Sequence, residues 1–163
     1  SVSNTEGVYF VPAFAGLGAP WWRSDVKAAI FGMTLGTTKS HLLRAALESI
    51  AYQVKDLADM MSQSAGTPLK ELRVDGGPTK NNLLMNFQAD MLQAPICCSD
   101  VEEASALGAV LMNALARRKW NTFAEILSLR KEQKLRLPQM TQTDVDALYK
   151  GWQHAVKTLI TSK

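Results

Sequence analysis

The residues best suited to chemistry lie in one run: Leu72-Arg73-Val74-Asp75-Gly76-Gly77-Pro78-Thr79-Lys80-Asn81-Asn82. A short apolar stretch opens onto two adjacent glycines and passes straight into a helical pattern. Paired glycines permit positive φ, and their missing side chains let a flat or anionic ligand press against the backbone. The helix that follows points free N–H groups and a partial positive charge back at the loop. A nucleotide contact is therefore one reading of the turn. A tight strand-to-helix connection that binds nothing is the other, and spacing alone leaves both open. Neither G-x-x-x-x-G-K-[ST] nor G-x-G-x-x-G occurs. Gly16-Leu17-Gly18 fails the second because Trp21 stands where a third glycine is needed. Asp75 reads as an acceptor of loop N–H bonds, since a carboxylate beside a phosphate needs a metal between them. Lys80 reads as a solvated lysine or as a supplementary phosphate or ribose contact.

The elements that must position this turn follow from periodicity. Residues 8–11 read as a strand stopped by Pro12, and residues 27–33 as a second ending near Gly32. Between them, residues 13–24 form a loop rich in glycine, proline and aromatic residues. Thr37 or Thr38 caps a long helix through Ser64, ended by Gly66 and Pro68. Leu43, Ala46, Leu47, Ile50, Val54, Leu57 and Met61 lay one apolar stripe along it. Residues 72–75 form a short strand, 81–92 a helix, 95–98 another strand, and 104–117 a helix dense in small residues. A short helix over 122–129 and an amphipathic one over 143–160 complete the chain. Alternating strands and helices argue for α/β with some parallel pairing, although strands are few for a full sheet.

Composition restricts the classes. At 163 residues with 47% hydrophobic and 20% charged residues, the chain can bury a core as one ordinary domain. A net charge of +3, eighteen basic against fifteen acidic residues, makes no nucleic-acid surface without clustering. No apolar run approaches the roughly 18–20 residues of a membrane span. The polar start at residues 1–7 lacks the order of a signal peptide and an initiator Met, so a piece of a longer polypeptide is expected. Cys97 and Cys98 are adjacent and fit neither a disulfide framework nor a zinc motif. They read as buried thiols at a strand end in a reducing cytoplasm. His41 reads as a capping or packing histidine, and His154 has no motif around it. Residues 117–119 and 130–131 read as solvated basic faces. Met60, Met61, Met85, Met91 and Met112 read as core filler.

Residues 72–92 resemble the adenosine-contacting stretch of the FGGY-family carbohydrate kinases, within the actin/hexokinase/Hsp70 superfamily. A second motif is independent: Ala28, Ile30, Gly32 and Met33, then His41, Leu42, Ala45, Ala46, Leu47 and Glu48, spaced as in that family's C-terminal signature. A third, Glu103-Ala104-Ser105-Ala106-Leu107-Gly108-Ala109, is similar to the family's E-x-T-A-L-G-A helix start. Residues 11–22 (VPAFAGLGAPWW) resemble the corresponding loop of the glycerol kinases, where xylulose kinases more often carry a G-E-R-x-P-like sequence. Taken alone, that loop is an aromatic-proline surface patch or packing corner. Two departures bear on substrate or regulatory detail. Arg118-Lys119-Trp120 replaces the family's usual G-F-W, and Arg23 and Ser24 replace Asp and Pro.

The resemblance implies an α/β chain, a partial actin-like (ribonuclease H-like) ATPase domain of few strands and several packed helices. Residues 1–163 would be the C-terminal FGGY domain, with 122–163 a helical tail and with the N-terminal catalytic domain and opening strands absent. Gly77 and Asn81 match the family's nucleotide-contacting glycine and asparagine, and Gly76 shares the turn. No catalytic residue and no metal ligand is expected in this chain, because the base belongs to segments upstream. ATP and Mg²⁺ are the implied cofactors. The implied reaction transfers the γ-phosphate to a polyol hydroxyl, with glycerol giving glycerol 3-phosphate. The alternatives are a kinase for another sugar or polyol such as xylulose, or a non-catalytic nucleotide-binding or interaction module derived from the family. The implied partners are the polyol, the N-terminal domain of the same enzyme and further copies of the chain. The piece alone is expected to be inactive, and its open strand edges to self-associate or to be covered.

Overall fold

The computed structural model describes residues 2–99, 103–128 and 134–162. In chain order the elements are β1 (Tyr9–Val11), β2 (Ala29–Phe31), α1 (Lys39–Ala65), β3 (Leu72–Val74), a 3₁₀ turn (Gly77–Lys80), α2 (Asn82–Leu92), β4 (Ile96–Cys98), α3 (Ala104–Ala116), α4 (Phe123–Ser128), β5 (Lys134–Arg136) and α5 (Gln142–Thr161). β1 and β2 form an antiparallel pair with Phe10 opposite Ile30. β3 and β4 run parallel, Leu72 opposite Ile96, and β5 pairs antiparallel with β4, Ile96 opposite Arg136. Few strands among several packed helices match the α/β expectation. β5 falls inside the stretch read as a helical tail, which is thus not helical throughout. Three residues, two of them charged, give too little periodicity to read as a strand. The basic residues 130–131 lie outside the described part.

Local chemistry sets the ends of the helices. Thr38 caps α1, and its backbone N–H donates to Nδ1 of His41 at 3.0 Å, so His41 takes the place glutamate holds in a capping box. At the other end Gly66 adopts φ 66° and its N–H bonds to the Gln63 carbonyl. Thr141 caps α5 by accepting from the Asp144 N–H at 3.3 Å. Asp90 of α2 accepts the N–H groups of Gln139 (2.6 Å) and Met140 (2.9 Å), which ties the approach to α5 onto α2.

α1 and α2 pack side by side, and α5 closes over β1 and α2. Tyr52 is the hub. Its ring stacks on Trp152 at 5.3 Å and 12°, meets Phe87 edge-on at 5.5 Å, and lies 5.9 Å from Tyr9. Next to it, Asp56 accepts Trp21 Nε1 at 3.0 Å and Trp152 Nε1 at 2.9 Å on Oδ2, and the Tyr149 hydroxyl at 2.6 Å on Oδ1. One buried carboxylate thereby joins the loop after β1, α1 and α5.

The apolar stripe of α1 is not its buried face. Buried in this chain are Ala45, Glu48, Ser49, Ala51, Tyr52 and Asp56. Leu43 (59%), Ile50 (42%), Leu57 (41%) and Met61 (60%) remain exposed. Of the methionines expected as core filler, Met85 and Met91 are buried, whereas Met61 and Met112 are exposed on α1 and α3. Periodicity identifies a stripe; it does not say which body covers it. Cys97 and Cys98 are buried on β4 and form no disulfide, as expected. Burial pushes the Cys98 thiol above its ordinary range, partly opposed by Arg136. The loop over residues 13–24 divides its tryptophans: Trp21 turns inward to Asp56, and Trp22 is left 76% exposed. Arg23, one of the departures, gains a role here. It forms a bidentate pair with Asp25, and its guanidinium also donates to the Ile160 carbonyl at 3.1 Å near the end of α5.

Candidate functional site

β3 and β4 end side by side, and the Ser99 N–H extends their pairing to the Val74 carbonyl at 2.9 Å. The turn carrying Gly76, Gly77 and Asn81 therefore stands at the carboxyl ends of two parallel strands. Ligands of open α/β sheets bind at such ends. Gly76 has φ 89° and ψ 177°, a region in effect reserved for glycine. A Cβ at Gly76 would have Pro78 Cδ as its nearest neighbour at 3.9 Å, so dihedral strain, not crowding, demands glycine there.

Gly77 differs. Its φ is not in the left-handed region, and a Cβ built on it meets nothing within 4 Å. Nothing in the described chain requires glycine at 77, and the space above it is open. The backbone of the turn is closed from within: the Gly76 carbonyl accepts the Thr79 N–H at 3.1 Å and the Thr79 hydroxyl at 2.7 Å. Asp75 was expected to accept loop N–H bonds. It is exposed, and among the described residues no hydrogen bond to its carboxylate is formed, because Gly76 and Thr79 already close the turn.

Between the glycines and α2 the chain makes the 3₁₀ turn Gly77–Lys80 rather than entering the α-helix directly. Asn81 then caps α2, its Oδ1 accepting the Leu84 N–H at 3.1 Å. That bond occupies the carbonyl side of the amide and leaves Nδ2 as the donor that can reach a ligand. Lys80 is exposed at the end of the turn. Gly76, Gly77 and Asn81 are thus brought together on one short arc. Arg136 was not anticipated: its guanidinium donates to Oδ1 of Asn82, while its Nε is buried without a hydrogen-bond partner. Its only sequence signal was one basic residue in a three-residue strand.

The turn is not enclosed in this chain. A concavity of about 530 Å³ is lined by Ala109, Val110, Asn113, Ala114, Arg117 and Lys119, and one of about 340 Å³ lies between the β1–β2 pair and α5. Neither includes the turn. Among the described residues, no three histidine, cysteine or carboxylate side chains converge as metal ligands. No helix among them is long and apolar enough to cross a membrane.

Comparison with known proteins fits this geometry. Residues 1–117 match the model of the FGGY family of carbohydrate kinases, C-terminal domain. A glycerol kinase of Geobacillus sp. (strain WCH70) is 49% identical over 162 residues, 99% of this chain and 33% of that protein. The glycerol kinase of Bacillus subtilis (strain 168) is 47% identical, with the same coverage of 99% and 33%. The chain thus spans about a third of the length of these curated relatives. A crystal structure of Plasmodium falciparum glycerol kinase with ADP superposes with a TM-score of 0.90 at 37% identity, over 99% of this chain and 32% of that one. A ligand-bound xylulose kinase from Lactobacillus acidophilus gives 0.82 at 20% identity, covering 99% and 33%, a likeness of fold. Partly shared sheet, glycine turn, capped α2 and family match agree, and the chain belongs to the FGGY family of carbohydrate kinases through its C-terminal domain.

Proposed function

We propose that this chain supplies one wall of the nucleotide site of an ATP-dependent glycerol kinase, with Gly76, Gly77 and Asn81 contacting the nucleotide. The open space over Gly77 carries the reading, since it lies beside a backbone turn that Gly76 alone can make. A flat base or ribose can approach the Gly77 backbone to van der Waals contact, and Asn81 Nδ2 can donate to it. Both groups are held before any ligand arrives, by the Thr79–Gly76 closure and the α2 cap. Such preorganisation is what phosphoryl transfer asks of a protein, because the chemistry is mostly positioning and charge neutralisation. Mg²⁺ would enter with the ATP phosphates and neutralise charge developing on them. The base that deprotonates the glycerol hydroxyl and the opposite wall of the cleft belong to the N-terminal domain that the relatives' greater length provides. Glycerol is favoured by the 37% identical glycerol kinase structure and by the loop over residues 11–22. Two buried cysteines without a disulfide fit a reducing cytoplasm. Self-association remains part of the reading, since the outer edges of β1 and β2 have no strand partner among the described residues.

The test joins this chain to the part of the Bacillus subtilis glycerol kinase that lies outside the match. The joined protein is expected to phosphorylate glycerol, and the chain alone is not. Gly77→Leu in the joined protein should raise the KM for ATP and weaken ADP binding while its melting temperature holds. Unchanged nucleotide affinity in that variant would refute the assignment.

A further inference from the structure

The chain from the end of β5 straps α2 at both ends. At one end the Arg136 guanidinium donates to Oδ1 of Asn82, the first residue of the helix. At the other, Asp90 accepts the N–H groups of Gln139 and Met140, and Gln93 Nε2 donates to the Met140 carbonyl at 3.1 Å. The lengths agree. Asn82 to Asp90 rises about 12 Å at 1.5 Å per residue, and Arg136 to Met140 spans about 13 Å when extended. Helix and strap run alongside each other, bonded at matching intervals.

The two ends differ in what local chemistry explains. The Asp90 end satisfies backbone N–H groups on the approach to α5, which need an acceptor. The Arg136 end breaks two local rules at once. A cation beside a helix N-terminus opposes the helix dipole, and Arg136 Nε is buried without a hydrogen-bond partner. β5 does not require the guanidinium, because its pairing with β4 is made by the backbone, with Arg136 opposite Ile96. Side chains that break local rules concentrate where function asks for them. The functional residue nearest at hand is Asn81, which precedes Asn82 and caps the same helix.

We propose that Arg136 is a positioning residue for the nucleotide site: by holding Asn82 it fixes the first turn of α2, and with it the Asn81 amide on the arc shared with Gly77. The proposal rests on the nucleotide reading of that turn. It adds a residue outside the stretch matched to the family, residues 1–117. Arg136 acts through α2 and does not itself touch the nucleotide.

The test uses the chain joined to the non-matching part of the Bacillus subtilis enzyme. Arg136→Met keeps the reach of the side chain and removes its donors, and Asn82→Ala removes the acceptor. Each should weaken ADP binding and raise the KM for ATP about fivefold, the worth of one net hydrogen bond, with the KM for glycerol unmoved. The double variant should bind ADP no more weakly than either single one, because both remove the same bond. Arg136→Lys should recover part of the affinity. Asp90→Ala, at the far end of the strap, is the reference: it should lower the melting temperature and leave ADP affinity as it was. ADP affinity within about 1.5-fold of the parent in both Arg136→Met and Asn82→Ala would overturn the proposal. So would a loss in Arg136→Met alone, which assigns the arginine a direct charge on the nucleotide. An equal loss in Asp90→Ala would overturn it too, since the strap would then be merely structural. If Arg136→Met does not fold, Asn82→Ala decides, because it leaves the guanidinium in place. Gly77→Leu separates the two levels of the argument. Unchanged ADP affinity there refutes the nucleotide turn itself, whereas weakened ADP there and none in Asn82→Ala refutes only the role of Arg136.

Discussion

Asp56→Ala removes one side chain and strands donors on three elements. Asp56 is 4% exposed, and its two oxygens accept Trp21, Trp152 and Tyr149 at 3.0, 2.9 and 2.6 Å. Hydrogen bonds to a charged partner contribute about 1.5–3 kcal/mol each, but three that share one acceptor group do not add. Trp152 is wholly buried and cannot regain water, whereas Trp21 and Tyr149 are half-buried and can in part. Removing the carboxylate also abolishes its own desolvation cost. The balance is a loss of about 3–5 kcal/mol, roughly that of two such bonds to a charged acceptor. At roughly 2–4 °C per kcal/mol for a chain of this size, the melting temperature should fall by about 6–20 °C. Asp56→Asn should be far milder. Its carbonyl oxygen can take both indole N–H groups, and its NH₂ can donate to the Tyr149 oxygen, which reverses its role. Urea denaturation followed by far-UV circular dichroism measures both variants. A cost below about 1 kcal/mol for the alanine variant would refute the account, because a stranded buried donor alone costs that much. An asparagine variant as unstable as the alanine one would refute the acceptor geometry and leave charge as the cause.

The two glycines of the turn should separate cleanly. Gly76→Ala should cost about 1–3 kcal/mol through its dihedrals, and Gly77→Ala less than about 0.5 kcal/mol while weakening ADP, read by denaturation and by titration of the joined protein. Burial holds the Tyr9, Tyr52 and Tyr149 hydroxyls above their ordinary value of 10.0, helped by Glu48 for the first two and Asp56 for the third. The unfolded chain ionises near 10.0 and the folded one resists, so stability should decline as pH rises past that value, seen as a falling urea midpoint. A flat midpoint there would contradict the buried environment. Glu48 is raised above 4.5 by burial, against the opposing Arg44 bond at 2.7 Å. The folded state then keeps a proton that the unfolded state has lost, so stability should fall as pH climbs from 4.5 through the folded value and then level off. In Glu48→Gln that slope should vanish.

Elements with strong local chemistry were legible without any coordinates. Thr38 and Gly66 bracket α1, Asn81 starts α2, and the paired glycines mark a strand-to-helix turn, because caps and glycine dihedrals act over a few residues. The family could be read from three short motifs for the same reason: each is local. Other features depended on which segments meet. Nothing in the run 39–65 tells that its polar side turns inward, since Asp56 becomes a core residue only where Trp21, Tyr149 and Trp152 arrive from 35, 93 and 96 residues away. Nor does the local sequence separate Trp21 from Trp22, or make a strand of Lys134–Arg136; pairing with β4 does that. The amino-acid sequence by itself determined the helices, their ends, the glycine turn and the family. The tertiary structure decided which face of α1 is core and how the turn is closed, because burial and hydrogen-bond partners are properties of distant segments brought together.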